Sequence, residues 1–263
     1  LTTRWLAGDV ERVRPFWIFN GLAVEQASPD VIQSLAARSD VAMVRLDHWR
    51  RWIKNDLPLT ASDTPSQTQL EWGIAHIRAD EVWHSLGISG TNVVVANLDT
   101  GVDWQHPALR ANYRGYSPKG LHQHEHSWYD ATGEGALYPV DGNGHGTHTM
   151  GTMVGQEGIG VAPGARWIAV RAFNSGGYAL ESWIHAGMEW LMAPNGDPSQ
   201  APRVVNNSWG NNASSITNFQ DDITALKAAG ILMIFSSGNN GPERGSVGSP
   251  ASLPGAFAVG ASD

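Results

Sequence analysis

The chain has 263 residues, 41% of them hydrophobic and 16% charged, with 30 glycines, a composition that describes a folded globular protein and excludes a disordered one. With 17 Lys and Arg against 25 Asp and Glu the net charge is −8, and no basic stripe suited to a nucleic-acid groove is present. No apolar run reaches the roughly 18 residues that a membrane-spanning helix needs. The absence of cysteine excludes disulfides and thiolate chemistry.

Phe16 to Asn20 is a short aromatic and β-branched run, read as a first strand. Ser28-Pro29-Asp30 then supplies an N-cap, a first-turn proline and a first-turn acid, which predicts a helix from Pro29 to about Arg38. Val41 to Leu46 alternates as a strand, so the first fifty residues read as a β-α-β accessory module. The basic, tryptophan-bearing run from Trp49 to Lys54 reads as a solvated linker. Between Lys54 and Gln69 the composition turns to Pro, Ser, Thr, Asp and Gln without an apolar period. The expected organisation is therefore a module over 1–53, a linker over 54–69 and a larger domain over 70–263.

In that larger part, Val93 to Asp99 (VVVANLD) is a continuous apolar run ending in a carboxylate, and ARWIAVRAF, RVVNNSW and ILMIFSS are further buried-strand candidates. Helical spacing relates Leu180, Trp183, Ile184, Gly187, Trp190 and Leu191, and again Ile216, Phe219, Ile223 and Leu226. Thr147 to Val154 reads as a short, small-residue helix. Strands alternating with helices predict an α/β fold, a mostly parallel sheet covered on both faces, with ligands bound beyond the strands' carboxyl ends.

Two residues carry the chemistry. Asp99 closes an apolar strand and is followed by Thr100-Gly101, so a turn would hold its carboxylate at the sheet edge; alone it reads as a strand-end turn former. His145 follows a glycine-rich approach, Asp141-Gly142-Asn143-Gly144, and opens a helix. A carboxylate and an imidazole so placed can form an orienter and general-base pair. The helix amino-terminus disfavours imidazolium while Asp99 favours it, opposed effects that hold a pKa near neutrality. Asn239, in Ser-Gly-Asn after a strand, reads as an αL turn residue or as a polar group at the same edge.

VVVANLDTGVDWQHPAL, HGTHTMGTMVG, IGVAPGARWIAVRAF, VVNNSWG and SSGNNGP occur in that order, and together they resemble the subtilisin-like serine proteases. The resemblance implies a three-layer subtilisin-like fold with Asp99 as the triad aspartate, His145 as the base and Asn239 as the oxyanion-hole amide. It further implies that Ser208, Trp209, Gly210, Gly176 and Gly177 line a cleft taking polypeptide substrate as an extended strand, although Trp209 also fits a core position. The segment FWIFNGLAVEQASPDVIQSLAARSDVAMVRLD is similar to the family's inhibitory propeptide, which makes the chain's own N-terminal module a partner of its cleft and makes secretion the expected localisation.

The chain departs from the family pattern in three places. His106-Pro107 is followed by Ala108 where the family commonly has a calcium-binding aspartate, and Gly155 to Gly160 leaves no room for the usual calcium loop. No cofactor is expected for the chemistry, and structural calcium through other oxygen ligands stays open. His122, His124 and His126 alternate as zinc ligands would, but without a fourth ligand they read as a polar surface loop. The family's nucleophile motif, G-T-S-x-A-x-P, does not occur. The chain is therefore expected to be the N-terminal portion of an endopeptidase, inactive as it stands; the rival expectation is a non-enzymatic pseudoprotease or propeptide-type inhibitor.

Overall fold

The computed structural model describes residues 8–54, 70–212 and 216–261. Its centre is a six-stranded sheet built from β4 (Val94–Asp99), β5 (Trp128–Asp130), β6 (Arg166–Arg171), β8 (Val204–Asn207), β9 (Leu232–Ser236) and β10 (Phe257–Val259), in the order β10-β9-β8-β4-β6-β5. Every neighbouring pair is parallel, as the alternation of strands with helices requires. The apolar runs of the sequence supply β4, β6, β8 and β9 to within one or two residues.

Strand parity sorts the side chains into two cores. Ala96, Leu98, Ile168 and Val170 pack in one cluster with Ile184, Met188 and Leu191 of α6 (Glu181–Met192) and with Ile223 and Leu226 of α7 (Gln220–Ala228). Val95, Trp167 and Ala169 pack in the other with Leu109 of α4 (Pro107–Arg110) and with Met150 and Val154 of α5 (His145–Val154). The sheet is thus covered on both faces, the α/β architecture of the expected class. The same parity has a chemical consequence: Asn97 and Asp99 share a face with Val95, so they point toward α5.

The N-terminal part departs from the β-α-β expectation. It is a hairpin, β1 (Arg12–Phe16) paired antiparallel with β2 (Gly21–Glu25), followed by α1 (Pro29–Ala36). Phe16 closes β1 and the rest of the aromatic run forms the turn, with Asn20 at φ 54°. The Ser28 side chain accepts from the Val31 amide, the cap that its sequence promised. Among the described residues Val41 to Leu46 forms no strand, and Met43, Val44 and Leu46 are exposed.

The run read as a solvated linker is instead built into the fold. Trp49–Arg51 forms β3, which pairs antiparallel with β7 (Tyr178–Leu180), and Trp52 and Ile53 are buried at 2% and 3% exposure. Charge density misled because the guanidinium of Arg50 finds a carboxylate and the indole of Trp52 finds an aromatic pocket, both distant in sequence. Residues 55–69 of the expected linker lie outside the described residues. Two further short helices, α2 (Trp72–His76) and α3 (Ala79–Leu86), lead into β4.

The hairpin rests on α6. Phe16, Ile18, Trp52 and Ile53 belong to the same core cluster as Leu98 and Ile184. The amides of Trp17 and Ile18 donate to Glu189 at 2.7 and 3.2 Å, and Asp47 accepts from the Ser182 amide at 3.1 Å in the first turn of α6.

Candidate active site

β4 ends on Asp99, whose carboxylate side chain is 1% exposed, and α5 begins on His145, whose side chain is 23% exposed. The His145 Nδ1 lies 2.7 Å from Asp99 Oδ1. The Thr100 amide also donates to Asp99 Oδ1, at 2.7 Å, and the Thr149 hydroxyl to Oδ2 at 3.4 Å. A carboxylate accepting these bonds fixes the Nδ1–H tautomer and leaves the Nε2 lone pair as the acceptor that a general base needs.

Close backbone approach makes that distance possible. Gly146, buried in the first turn of α5, lies so near β4 that a Cβ there would overlap the Gly101 carbonyl oxygen and sit 3.1 Å from Asp99 Cβ. Asn97, two residues before Asp99 on the same face, donates to the Gly146 carbonyl at 3.0 Å and to the Thr149 hydroxyl at 2.9 Å. Asn206 on β8 in turn donates to Asn97 Oδ1 at 3.0 Å. This pair of linked amides ties the helix to two strands.

Sequence reading missed Asp141. The N-cap position of α5 is Gly144, which has no side chain to cap with. Asp141 takes over: its Oδ2 accepts from the Thr147 amide at 2.9 Å and the Thr147 hydroxyl at 2.7 Å. Its Oδ1 accepts from the amides of Asn143 and Gly144 at 3.0 and 2.9 Å and from the Thr100 hydroxyl at 2.9 Å. One carboxylate therefore ends the glycine turn, starts the helix and bridges to the residue after Asp99. The sequence signal was an acid three residues before a positive-φ glycine cap and six before a threonine.

The electrostatics follow from burial and these bonds. Burial of the ring works to lower the His145 pKa, but the Asp99 hydrogen bond, the Asp99 charge and the Asp141 charge together raise it above the ordinary histidine value. Burial raises the Asp99 pKa, against the bonds from His145 and Thr100 that lower it.

The other named residues fall along the same carboxyl edge. Ser208 directly follows β8, with its hydroxyl 3.0 Å from Asn206 Nδ2. Asn239 lies exposed past the end of β9; Gly238, at φ 94°, holds the left-handed position that the turn needs, and Asn239 does not. Trp209 is buried at 2% among Trp52, Phe173, Phe219 and Phe235, so it is core as well as a neighbour of the N-terminal strand.

Gly177 and Gly210 face that strand from two sides. The Gly177 carbonyl accepts from the amides of Trp52 and Ile53 at 2.9 and 3.2 Å, and the Gly210 amide donates to the Trp52 carbonyl at 3.2 Å. Gly176 is exposed beside this contact.

Among the described residues no group of three or more His, Cys, Asp or Glu is arranged to hold a metal ion. The three alternating histidines have separate partners: the His122 and His124 rings both pack on Trp104, 6.2 Å apart, with His124 Nδ1 3.0 Å from the Tyr113 hydroxyl, whereas His126 Nδ1 meets the Pro194 carbonyl at 2.9 Å. No helix of the described residues is long and apolar enough to cross a membrane.

A parallel α/β sheet with a buried aspartate holding a histidine at its carboxyl edge is an arrangement suited to general-base hydrolysis. The Subtilase family model matches residues 90–263. The chain is 39% identical, across all of its length, to Bacillopeptidase F of Bacillus subtilis (strain 168), of which it covers 20%. It is 34% identical to M-protease of Shouchella clausii (strain KSM-K16), over 85% of this chain and 52% of that protein. Subtilisin E of Bacillus subtilis (strain 168) is also 34% identical, over 88% of this chain and 53% of the relative. The chain belongs to the subtilase family, and it spans between a fifth and about half the length of these relatives.

Proposed function

We propose that this chain is the N-terminal portion of a secreted, subtilisin-like serine endopeptidase, with residues up to about Ile53 acting as its inhibitory propeptide. The observation that carries the reading is the antiparallel strand Trp49–Arg51 and the Trp52-Ile53 pair that continues it, bonded between Gly177 and Gly210 as an extended peptide would be. A segment held by backbone pairing at the carboxyl edge of the sheet, with an Asp99–His145 pair at the same edge, has the character of an occupied substrate cleft.

In the full-length protein a serine outside this chain attacks the peptide carbonyl. His145 Nε2 takes the serine proton and returns it to the leaving amine, while Asp99 keeps the imidazole oriented and stabilises its charged form. Asn239 donates its side-chain amide to the developing oxyanion; removing one such donor from an acyl-transfer site costs roughly 3 to 4 kcal/mol of barrier. No cofactor takes part. Release of the cleft follows cutting within residues 54–69.

Treating the full-length protein with a serine-directed phosphonate and locating the adduct by peptide mass tests this. The reading expects one labelled serine, outside this chain, and loss of labelling in His145→Ala. Labelling that is absent in the processed wild type, or indifferent to His145, contradicts it.

A further inference from the structure

Backbone pairing with β7 accepts any sequence, so selectivity for the paired strand has to come from what its side chains meet. Arg50 meets a built site. In the antiparallel register Arg50 stands opposite Ala179, and its Nε lies 3.2 Å from Glu181 Oε1. Glu181, the first residue of α6, has a side chain only 2% exposed, whereas that of Arg50 is 32% exposed. The second oxygen, Glu181 Oε2, accepts from Asn218 Nδ2 at 2.6 Å. The buried carboxylate is thus held at its rear by a neutral amide from the fold, and its counter-charge arrives on the docked strand.

Two residues further along, Trp52 fills an aromatic recess, edge-on to Trp209 and Phe219 with ring centroids 5.6 Å away in both cases. When β3 leaves, the recess empties, and of the two side-chain partners Glu181 has among the described residues it keeps Asn218. An incoming strand with a neutral side chain opposite Ala179 would bury that carboxylate without a counter-charge, whereas an arginine restores the pair.

We propose that Glu181 is a specificity-determining residue of the cleft: it selects peptides carrying a basic side chain two positions before an aromatic one in the strand paired with β7. This rests on the peptidase reading given above. Arginine is preferred to lysine, because its planar guanidinium presents the Nε–H that reaches Oε1 and lysine offers only a mobile point charge.

The test compares two peptides, one containing Trp-Arg-Arg-Trp-Ile-Lys and one containing Trp-Gln-Arg-Trp-Ile-Lys, each followed by the same reporter segment. They are offered to the processed full-length protein and to its Glu181→Gln variant. In the wild type kcat/KM favours the arginine peptide by about tenfold, as expected for a partly exposed cation on a buried acid. In Glu181→Gln the ratio falls to about one, and in Glu181→Arg a glutamate peptide of the same design overtakes the arginine peptide. A wild type that cuts both peptides equally, or a ratio unchanged in Glu181→Gln, overturns the proposal. A protein that cuts no peptide overturns the peptidase reading instead. The Glu181–Arg50 pairing is then decided in this chain alone: faster amide exchange at Trp52 and Ile53 in Glu181→Gln supports it, and unchanged exchange overturns it.

Discussion

His145 Nδ1 lies 2.7 Å from Oδ1 of a nearly inaccessible Asp99, and the donors around that carboxylate leave the imidazole a single productive tautomer. Hydrolysis by the full-length protein is therefore expected to rise with pH through a His145 pKa above the ordinary histidine value, because only the neutral ring accepts the proton. Asp99→Asn removes the charge that raises this pKa and presents a donor in place of an acceptor. The predicted profile shifts to lower pH and its plateau falls by about 10⁴-fold. A pH–rate profile of both proteins checks the shift and the loss together.

The same pair has a stability signature. A histidine whose folded pKa is raised binds its proton more tightly in the folded chain, so its contribution is complete below the unfolded pKa, about 6.5. It is lost as pH rises through the folded pKa. The difference in unfolding free energy between the wild type and His145→Gln should accordingly shrink from pH 6 toward alkaline pH, as read by denaturant titration at several pH values. A difference that grows over this range contradicts the sign.

Gly146→Ala reverses an ordinary expectation. In an exposed helix interior this change stabilises by about 1 kcal/mol. Here the new Cβ would overlap the Gly101 carbonyl oxygen and press on Asp99 Cβ, so α5 has to move away from β4. The melting temperature is predicted to fall, and the low-field imidazole proton of the His145–Asp99 bond to weaken in the proton NMR spectrum.

Asp141→Ala is expected to cost about 1 to 3 kcal/mol, since it strips the acceptor from the Thr147, Asn143 and Gly144 amides at a helix start. It should also lower the His145 pKa, because the Asp141 charge helps to raise it. Urea unfolding and an imidazole titration measure the two effects separately.

Gly177→Ala addresses the docked strand. Gly177 has φ 77°, and a Cβ there would come within 2.5 Å of the Ile53 carbonyl oxygen. The variant is predicted to release residues 49–53 while the parallel sheet keeps its protection. Amide exchange should accelerate at Trp52 and Ile53 and not at β4 or β6.

The middle of the sheet was legible because β4 and β6 are buried along nearly their whole length and β8 and β9 start on apolar residues, whereas the short edge strands β5 and β10 carry no such run. Asp99 and His145 were legible as types at a strand end and a helix start, but their facing one another was not. That depends on the parity that turns Asn97 and Asp99 toward α5. The N-terminal strand was illegible for a different reason. Arg50 and Glu181 are 131 positions apart, and a basic, aromatic run looks solvated until the partners that bury it are in place. Asp141 was overlooked because a capping acid set back behind glycines has no apolar period to mark it.

The most direct measurement is hydrolysis of an unfolded polypeptide by the full-length protein after cutting within residues 54–69, with His145→Ala alongside. The account predicts cleavage by the wild type and a loss of at least about 10³-fold in the variant, the remainder coming from binding and oxyanion stabilisation. Equal rates in the two proteins, or no cleavage once the N-terminal segment has been removed, would contradict it.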